Sequence, residues 1–189
     1  MRRLIWLAAA GALSLALVGC NGDLTKSASP VALIASNTQT LSRIDLSGGT
    51  NCNQSWGVIH LQAVEKNPGT GTTSNFDQVR ITGYHVSYVR TDGGKLVPAP
   101  FDRSMDSLIT PGGTTQDVSG FLAILPEALN QAPFAALLPA NGGKDPDTGL
   151  PVVRMNLIVD IYGTTLGGSK VSASTVFPVD FCYNCGGCS

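Results

Sequence analysis

The first twenty residues constrain this chain more than any other stretch. Arg2 and Arg3 precede a mostly apolar run from Leu4 to Val18, which a glycine and Cys20 follow. A basic start, an apolar middle and a small residue near the end form the layout of a secretory signal rather than of mature structure. As a helix the run would be about 22 Å long, which is shorter than a bilayer core of about 30 Å. The pattern therefore predicts an exported chain rather than a transmembrane helix.

A cysteine interrupts the small-residue pattern of an ordinary cleavage site. The letters L-V-G-C, which end at Cys20, resemble the lipobox of bacterial lipoproteins. The resemblance implies that residues 1–19 are a signal peptide that is removed, and that Cys20 carries a thioether-linked lipid and an acylated amine. Two or more acyl chains anchor stably, because each buried CH₂ contributes about 0.8 kcal/mol. Asn21 stands where inner-membrane retention usually needs aspartate, which implies an outer-membrane lipoprotein of the cell envelope.

The composition of the remaining chain limits its fold and partners. Residues 1–19 carry two arginines and no acid, so residues 20–189 have ten basic and thirteen acidic side chains, a net charge of −3. There is no basic patch with interleaved aromatics, which argues against a nucleic-acid partner. Only 13% of residues are charged and 22 are glycine, as is typical of an exported β-protein with many turns. We expect a flexible tether over residues 20–29 and a single β-domain over residues 30–189.

Short alternating strands separated by Gly and Pro turns follow the tether. In two runs, 56–66 and 78–91, apolar residues at alternate positions share one face: Ile59, Leu61 and Ala63 in the first, and Tyr84, Val86 and Tyr88 in the second. Residues 92–94 turn the chain, and the returning strand is expected to begin at 95–98. Strands of this kind predict an antiparallel β-sandwich or barrel.

Two segments carry a family resemblance. Residues 81–88, I-T-G-Y-H-V-S-Y, resemble the third strand of a fibronectin type III domain, and residues 157–174 resemble that family's last hairpin, with its turn at 167–169. The resemblance implies that the alternating aromatic and aliphatic residues enter a core. The expected fold class is therefore all-β, an immunoglobulin- or fibronectin-like antiparallel sandwich.

Residues 121–151 differ from the rest, because they contain two segments that suit helical turns with Pro at the first position. We expect one or two short helical turns near 126–138 that close an open end of the sandwich. The alternative is an exposed apolar patch around Phe134 and Leu138 that contacts a partner or a membrane.

Three residues in the same region loosely resemble a calcium-loop spacing: Asp145, Asp147 and Gly149. A calcium loop needs further acids and a distal glutamate, which are missing from this stretch. We interpret the segment as an ordinary Asp/Gly turn.

The cysteines carry the other specific chemistry. With Cys20 assigned to lipid, four remain: Cys52, Cys182, Cys185 and Cys188. In an exported protein an even set is most simply two disulfides, and four cysteines allow three pairings. We favour Cys52–Cys182 with Cys185–Cys188. The first bridge would close a loop of about 130 residues, with a stabilisation of nearly 5 kcal/mol, and the two glycines after Cys185 suit a tight ring.

A metal-binding or redox protein is the alternative interpretation of C-x-x-C-x-x-C together with Cys52. Four sulfur ligands suit zinc or an iron–sulfur cluster, but the ferredoxin run carries a further cysteine and a proline. Redox motifs sit at a helix N-terminus, and no helix is expected to follow Cys188. An oxidising compartment favours disulfides, so we expect no metal and no cofactor.

No catalytic constellation is recognisable in the sequence. His60 and His85 fall on polar strand faces, neither is followed by a recognisable nucleophile or carboxylate partner, and there is no G-x-S-x-G. Asp102 and Asp106 are expected in a loop. We therefore expect no enzyme, but a lipid-anchored, non-catalytic module of the cell envelope with a structural, adhesive or binding role. Its expected partners are the membrane, through the lipid, and an envelope protein bound either on residues 121–149 or at the sheet edges.

Overall fold

The computed structural model describes residues 28–37, 42–47, 58–67, 74–112, 114–119 and 122–185. Within these ranges the chain forms strands joined by turns and short 3-10 segments. The strands are β1 (Val31–Ser36), β2 (Ser42–Asp45), β3 (Val58–Glu65), β4 (Val79–Arg90), β5 (Phe101–Ile109), β6 (Gln116–Ser119), β7 (Val152–Thr165) and β8 (Lys170–Cys182).

The strands form two sheets that pack face to face. One sheet has the order β1-β3-β6, and the other has the order β2-β8-β7-β4-β5. The pairings are antiparallel, except that the short β2 runs parallel to the end of β8. Buried side chains of both sheets join one hydrophobic cluster. The chain is an all-β sandwich, as the alternating pattern predicts.

The two clearest sequence patterns occupy the faces expected of them. In β3, Ile59, Leu61 and Ala63 are fully buried. In β4 the buried residues change from odd to even positions, from Ile81 to Tyr84, because a β-bulge shifts the register between Ile81 and Gly83. The bulge returns the following aromatic residues to the core, where a one-residue slip would otherwise turn them toward solvent.

Short helical turns close one end of the sandwich, as predicted for residues near 126–138. They are 3-10 segments at Pro126–Asn130, Phe134–Leu137 and Pro139–Asn141. Phe134 is fully buried, with its ring centroid 4.4 Å from that of Phe181 at the end of β8. Leu137 is also buried, and Leu138 is half-buried. The alternative of an exposed patch around Phe134 and Leu138 is therefore wrong for Phe134, and the burial of Phe134 and Leu137 in the core agrees with the closing role.

The strand that returns from β4 begins later than the sequence suggests. Residues 95–98 are irregular, and β5 begins at Phe101, so Asp102 and Asp106 lie on a strand and not in a loop. The Asp147 carboxylate accepts hydrogen bonds from the amides of Lys95 and Leu96, at 2.7 and 2.9 Å. Those two amides therefore donate to a loop, and the prolines at 98 and 100 have no N–H to donate to a neighbouring strand. For both reasons the strand does not begin before Phe101.

The sandwich has two distinct ends. The N-terminal end is where β1, β4 and β8 begin, and it includes residues 66–67, 74–78 and 166–169. The C-terminal end is where β4 and β8 finish, and it includes residues 91–100 and 122–151. The predicted signal and most of the predicted tether lie outside the described residues.

Candidate functional site

The C-terminal cysteines are paired differently from our expectation. Cys182 forms a disulfide with Cys185, with their Cα atoms 5.9 Å apart, within the usual range for such bonds. This bond excludes the favoured pairings of Cys182 with Cys52 and of Cys185 with Cys188. Cys20, Cys52 and Cys188 lie outside the described residues, so their predicted roles stay predictions.

A buried carboxylate explains the observed pairing. Asp45, at the end of β2, accepts hydrogen bonds from the amides of Asn184 and Cys185, both at 2.9 Å, and from the amide of Ser47 at 2.8 Å. Asn184 adopts a left-handed backbone conformation, with a φ of 52°, which asparagine tolerates better than most residues. The chain therefore turns back directly after β8 and brings Cys185 to Cys182.

A charged network is buried at the C-terminal end of the sandwich. The Arg90 guanidinium donates two hydrogen bonds to the Asp92 carboxylate, from Nε at 2.7 Å and from Nη2 at 2.9 Å. Nη2 also donates to Asp145 at 2.8 Å. The three side chains are only 2%, 4% and 0% exposed. A buried ion group of this kind needs every charge paired, so the network fixes the loop after β4 against the loop before β7.

Hydrogen bonds within the network lower the pKa of both carboxylates. Burial opposes the charge on Asp92, but hydrogen bonds from Arg90 and from the amides of Arg154 and Gly94 outweigh it and lower the pKa of Asp92 to about 2. The pKa of Asp145 is likewise lowered, because the hydrogen bonds from Arg90 and Thr148 outweigh its burial. Both carboxylates are therefore charged at neutral pH.

The segment that loosely resembles a calcium loop is a turn held by these contacts. Besides Arg90, the Asp145 carboxylate accepts hydrogen bonds from the amide and the hydroxyl of Thr148, at 2.9 and 2.8 Å. The Asp147 carboxylate is bound to backbone amides across the loop. Both Asp145 oxygens and Asp147 Oδ2 thus accept hydrogen bonds from protein donors, as expected of an Asp/Gly turn.

Both histidines have carboxylate partners that sequence reasoning missed. His60 Nδ1 lies 2.6 Å from Asp117 on β6, and His85 Nδ1 lies 3.1 Å from Asp102 on β5. Each pair is directly opposite in the strand register, a signal that becomes visible only when the strand pairing is known. The two pairs lie on different sheets, so the fold does not bring the histidines into one site.

A cavity of about 840 Å³ lies along the edges of the two sheets. Its lining includes Val31–Ala35 of β1, the first part of β8 from Lys170 to Ser174, and Tyr162 on β7. Most of these side chains are apolar or small, and the charges come from Lys66 and Lys170. A mostly apolar concavity with a few polar groups is the usual form of a binding site.

In the described part of the chain, β1 has an edge to which no strand is paired. β1 pairs with β3 on one side only. β8 pairs with β2 only over Val179–Cys182, and its earlier part runs close to β1. The Asn37 side chain, directly after β1, donates hydrogen bonds to the Thr175 hydroxyl and the Val176 carbonyl of β8, at 3.0 and 2.8 Å. Open edges present backbone donors and acceptors that another chain can pair with.

Comparisons with known proteins identified no relative of this chain. No protein-family model, no curated protein and no solved structure matches the chain. In the ranges that the structure describes, no group of three or more His, Cys, Asp or Glu is placed to hold a metal. Nor does any helix there have the length and apolar character needed to cross a membrane.

Proposed function

We propose that this chain is a lipid-anchored, non-catalytic binding protein of the cell envelope. Cys20 carries the lipid after removal of residues 1–19, and the outer membrane is the proposed location. The basic, apolar and L-V-G-C pattern supports the anchor. The cavity beside the edge of β1 is the observation that carries the binding role.

An immunoglobulin- or fibronectin-like relationship is part of the proposal. Immunoglobulin-type sandwiches place strands A, B and E in one sheet and strands C, F and G in the other. The orders β1-β3-β6 and β5-β4-β7-β8 have the same arrangement, if β1, β3, β4, β6, β7 and β8 are taken as A, B, C, E, F and G. This agreement in strand order supports the relationship independently of the short sequence resemblance.

The proposed ligand is an extended segment of an envelope protein. An added strand gains main-chain hydrogen bonds from an open sheet edge and specificity from side-chain pockets. The edge of β1 supplies the first feature, and the apolar cavity beside it supplies the second. This choice agrees with the sequence-based hypothesis of a ligand at the sheet edges, and the burial of Phe134 argues against residues 121–149.

A photo-cross-linking experiment in intact envelopes tests the binding role. A benzophenone amino acid replaces Ser172, which lines the cavity, or Ser104, which is exposed on the far edge strand β5. We expect a discrete cross-linked protein from position 172 and none from position 104. A synthetic peptide with the sequence of the cross-linked segment of that protein should abolish the cross-link. Equal labelling from both positions, or none from position 172, contradicts the proposed ligand.

A thiol–disulfide protein is the second candidate function, and the Cys182–Cys185 disulfide is the observation that favours it over a metal site. Two points favour a structural bond instead. Cys182 is buried, and the Asp45 carboxylate bound to the Cys185 amide places a negative charge beside the cysteine, which opposes the reactive thiolate. Counting thiols in denatured, unreduced protein separates a metal site from both kinds of disulfide: four metal-releasable thiols would support the metal site.

A further inference from the structure

The largest exposed fraction among the large hydrophobic side chains of the described residues belongs to Phe76. Its side chain is on the N-terminal end and Phe76 is 70% exposed, while Leu166 in the β7–β8 turn beside it is 49% exposed. The two segments are bonded together: the Gly167 amide donates to the Phe76 carbonyl and the Leu166 amide to the Gln78 carbonyl, both at 2.8 Å. We call Phe76 and Leu166 the apolar tip.

The backbone holds the apolar tip in place. The Ser74 hydroxyl accepts a hydrogen bond from the Phe76 amide at 3.2 Å, which caps the 3-10 turn Asn75–Asp77. Together with the bonds from the β7–β8 turn, this cap fixes the direction of the Phe76 backbone. A large apolar side chain presented to water by a fixed turn is characteristic of a contact surface.

The length of chain before β1 indicates which end of the sandwich faces a membrane. Cys20 is eleven residues before Val31, where β1 begins at the N-terminal end. Even fully extended, that chain reaches about 40 Å. β7 alone has 14 residues and is about 45 Å long. A lipid on Cys20 therefore favours the N-terminal end as the one that lies against the bilayer.

We propose that Phe76 and Leu166 contact the lipid bilayer that holds the anchor. This inference rests on the proposed lipidation of Cys20. At the N-terminal end the charges of Lys66 and Lys170 are equal in number to those of Glu65 and Asp77, so apolar insertion and not attraction to anionic lipid drives the contact. Aromatic side chains are favoured at the boundary between headgroups and acyl chains.

Tryptophan fluorescence in the lipidated protein, residues 20–189, tests the inference. The variants are Phe76→Trp and, as a matched control, Leu150→Trp, since Leu150 is 50% exposed at the C-terminal end. Both are reconstituted into phosphatidylcholine vesicles with brominated acyl chains, and the signal of unsubstituted protein is subtracted to remove Trp56. Unfolding midpoints equal to that of the unsubstituted chain verify that the variants fold.

We expect about twofold quenching at position 76 and almost none at position 150, because an interfacial indole lies near the acyl chains. The mass of the intact protein is measured first, and it shows whether Cys20 carries the lipid independently of the fluorescence. An acylated chain whose position 76 is quenched no more than position 150 overturns the membrane contact and leaves the anchor standing. If the intact mass shows no added acyl groups, the proposed anchor is wrong, and this inference fails with it.

Discussion

The two ends of the sandwich are built in opposite ways. The C-terminal end is closed by the buried Arg90 network, by 3-10 turns that bury Phe134, and by the Cys182–Cys185 disulfide. The N-terminal end has simple turns, leaves Phe76 and Leu166 in solvent, and adjoins the cavity along β1 and β8.

The difference separates stability from interaction. The C-terminal end contains charges and rings that are costly to disturb, because they are desolvated and paired. The N-terminal end contains apolar side chains and open strand edges, which gain free energy by contact with another molecule. If this division holds, substitutions at the C-terminal end change the free energy of unfolding, whereas those at the N-terminal end change binding.

Arg90→Met is expected to have the largest effect. It leaves Asp92 and Asp145 buried without a countercharge, which costs about 3–5 kcal/mol of unfolding free energy. Arg80→Met on the same strand is the matched control, since Arg80 and Asp106 are 58% and 70% exposed, and exposed pairs contribute at most about 1 kcal/mol. Urea unfolding at pH 7 measures both. Similar losses in the two variants would mean that the buried network does not stabilise the C-terminal end.

Phe134→Ala tests whether the 3-10 segments belong to the core. Phe134 is fully buried against Phe181, so truncation is expected to cost about 3 kcal/mol, at the lower end for a phenylalanine because short turns can settle into the cavity. The control is Phe76→Ala, whose side chain is in solvent, with an expected change within about 0.5 kcal/mol. The comparison of the ends fails if the exposed phenylalanine proves as important for stability as the buried one.

Acid should weaken the C-terminal end. The pKa of Asp92 is lowered to about 2 in the folded chain, whereas an unfolded aspartate titrates near pH 4. Its stabilisation is therefore complete above about pH 4 and is lost as the pH falls toward 2, a loss of about 2 kcal/mol. Urea unfolding at several pH values should show this slope, and Asp92→Asn should reduce it. If the free energy of unfolding depends on pH equally strongly in Asp92→Asn, Asp92 does not cause the loss of stability in acid.

The Cys182–Cys185 disulfide is expected to contribute least to the free energy of unfolding. Its two cysteines are only three residues apart, so the bond restricts the unfolded chain little and contributes no more than about 2 kcal/mol. Chymotryptic cleavage after Tyr183 separates Cys182 from Cys185. Without reduction, we expect the fragment with Cys182 to stay linked to the one with Cys185, also in Cys188→Ser. A link from Cys182 to the Cys52 peptide would restore the pairing first favoured from the sequence.

Local alternation predicted the parts of the fold that depend on neighbouring residues. Ile59, Leu61 and Ala63 are buried as expected, and so are Tyr84 and Val86. A strand with one buried face needs only this two-residue period. The short helical turns were predictable for a similar reason, since proline marks their beginnings.

The sequence patterns failed where the decisive contacts are distant in the chain. The carboxylate that directs Cys185 to Cys182 belongs to Asp45, 140 residues away. Arg90 and Asp145 are 55 residues apart, and the polar strand β5 has few apolar positions to mark its start. Each contact depends on which strands become neighbours, and the local pattern of apolar residues does not encode that.

Hydrogen exchange of the lipidated chain in phosphatidylcholine vesicles, compared with the same chain in detergent, tests the division between the ends most directly. The account predicts slower exchange in vesicles at residues 74–78 and 166–169, with unchanged exchange at 91–98 and 142–151. Equal protection of both ends, or protection confined to residues 91–98 and 142–151, would contradict it.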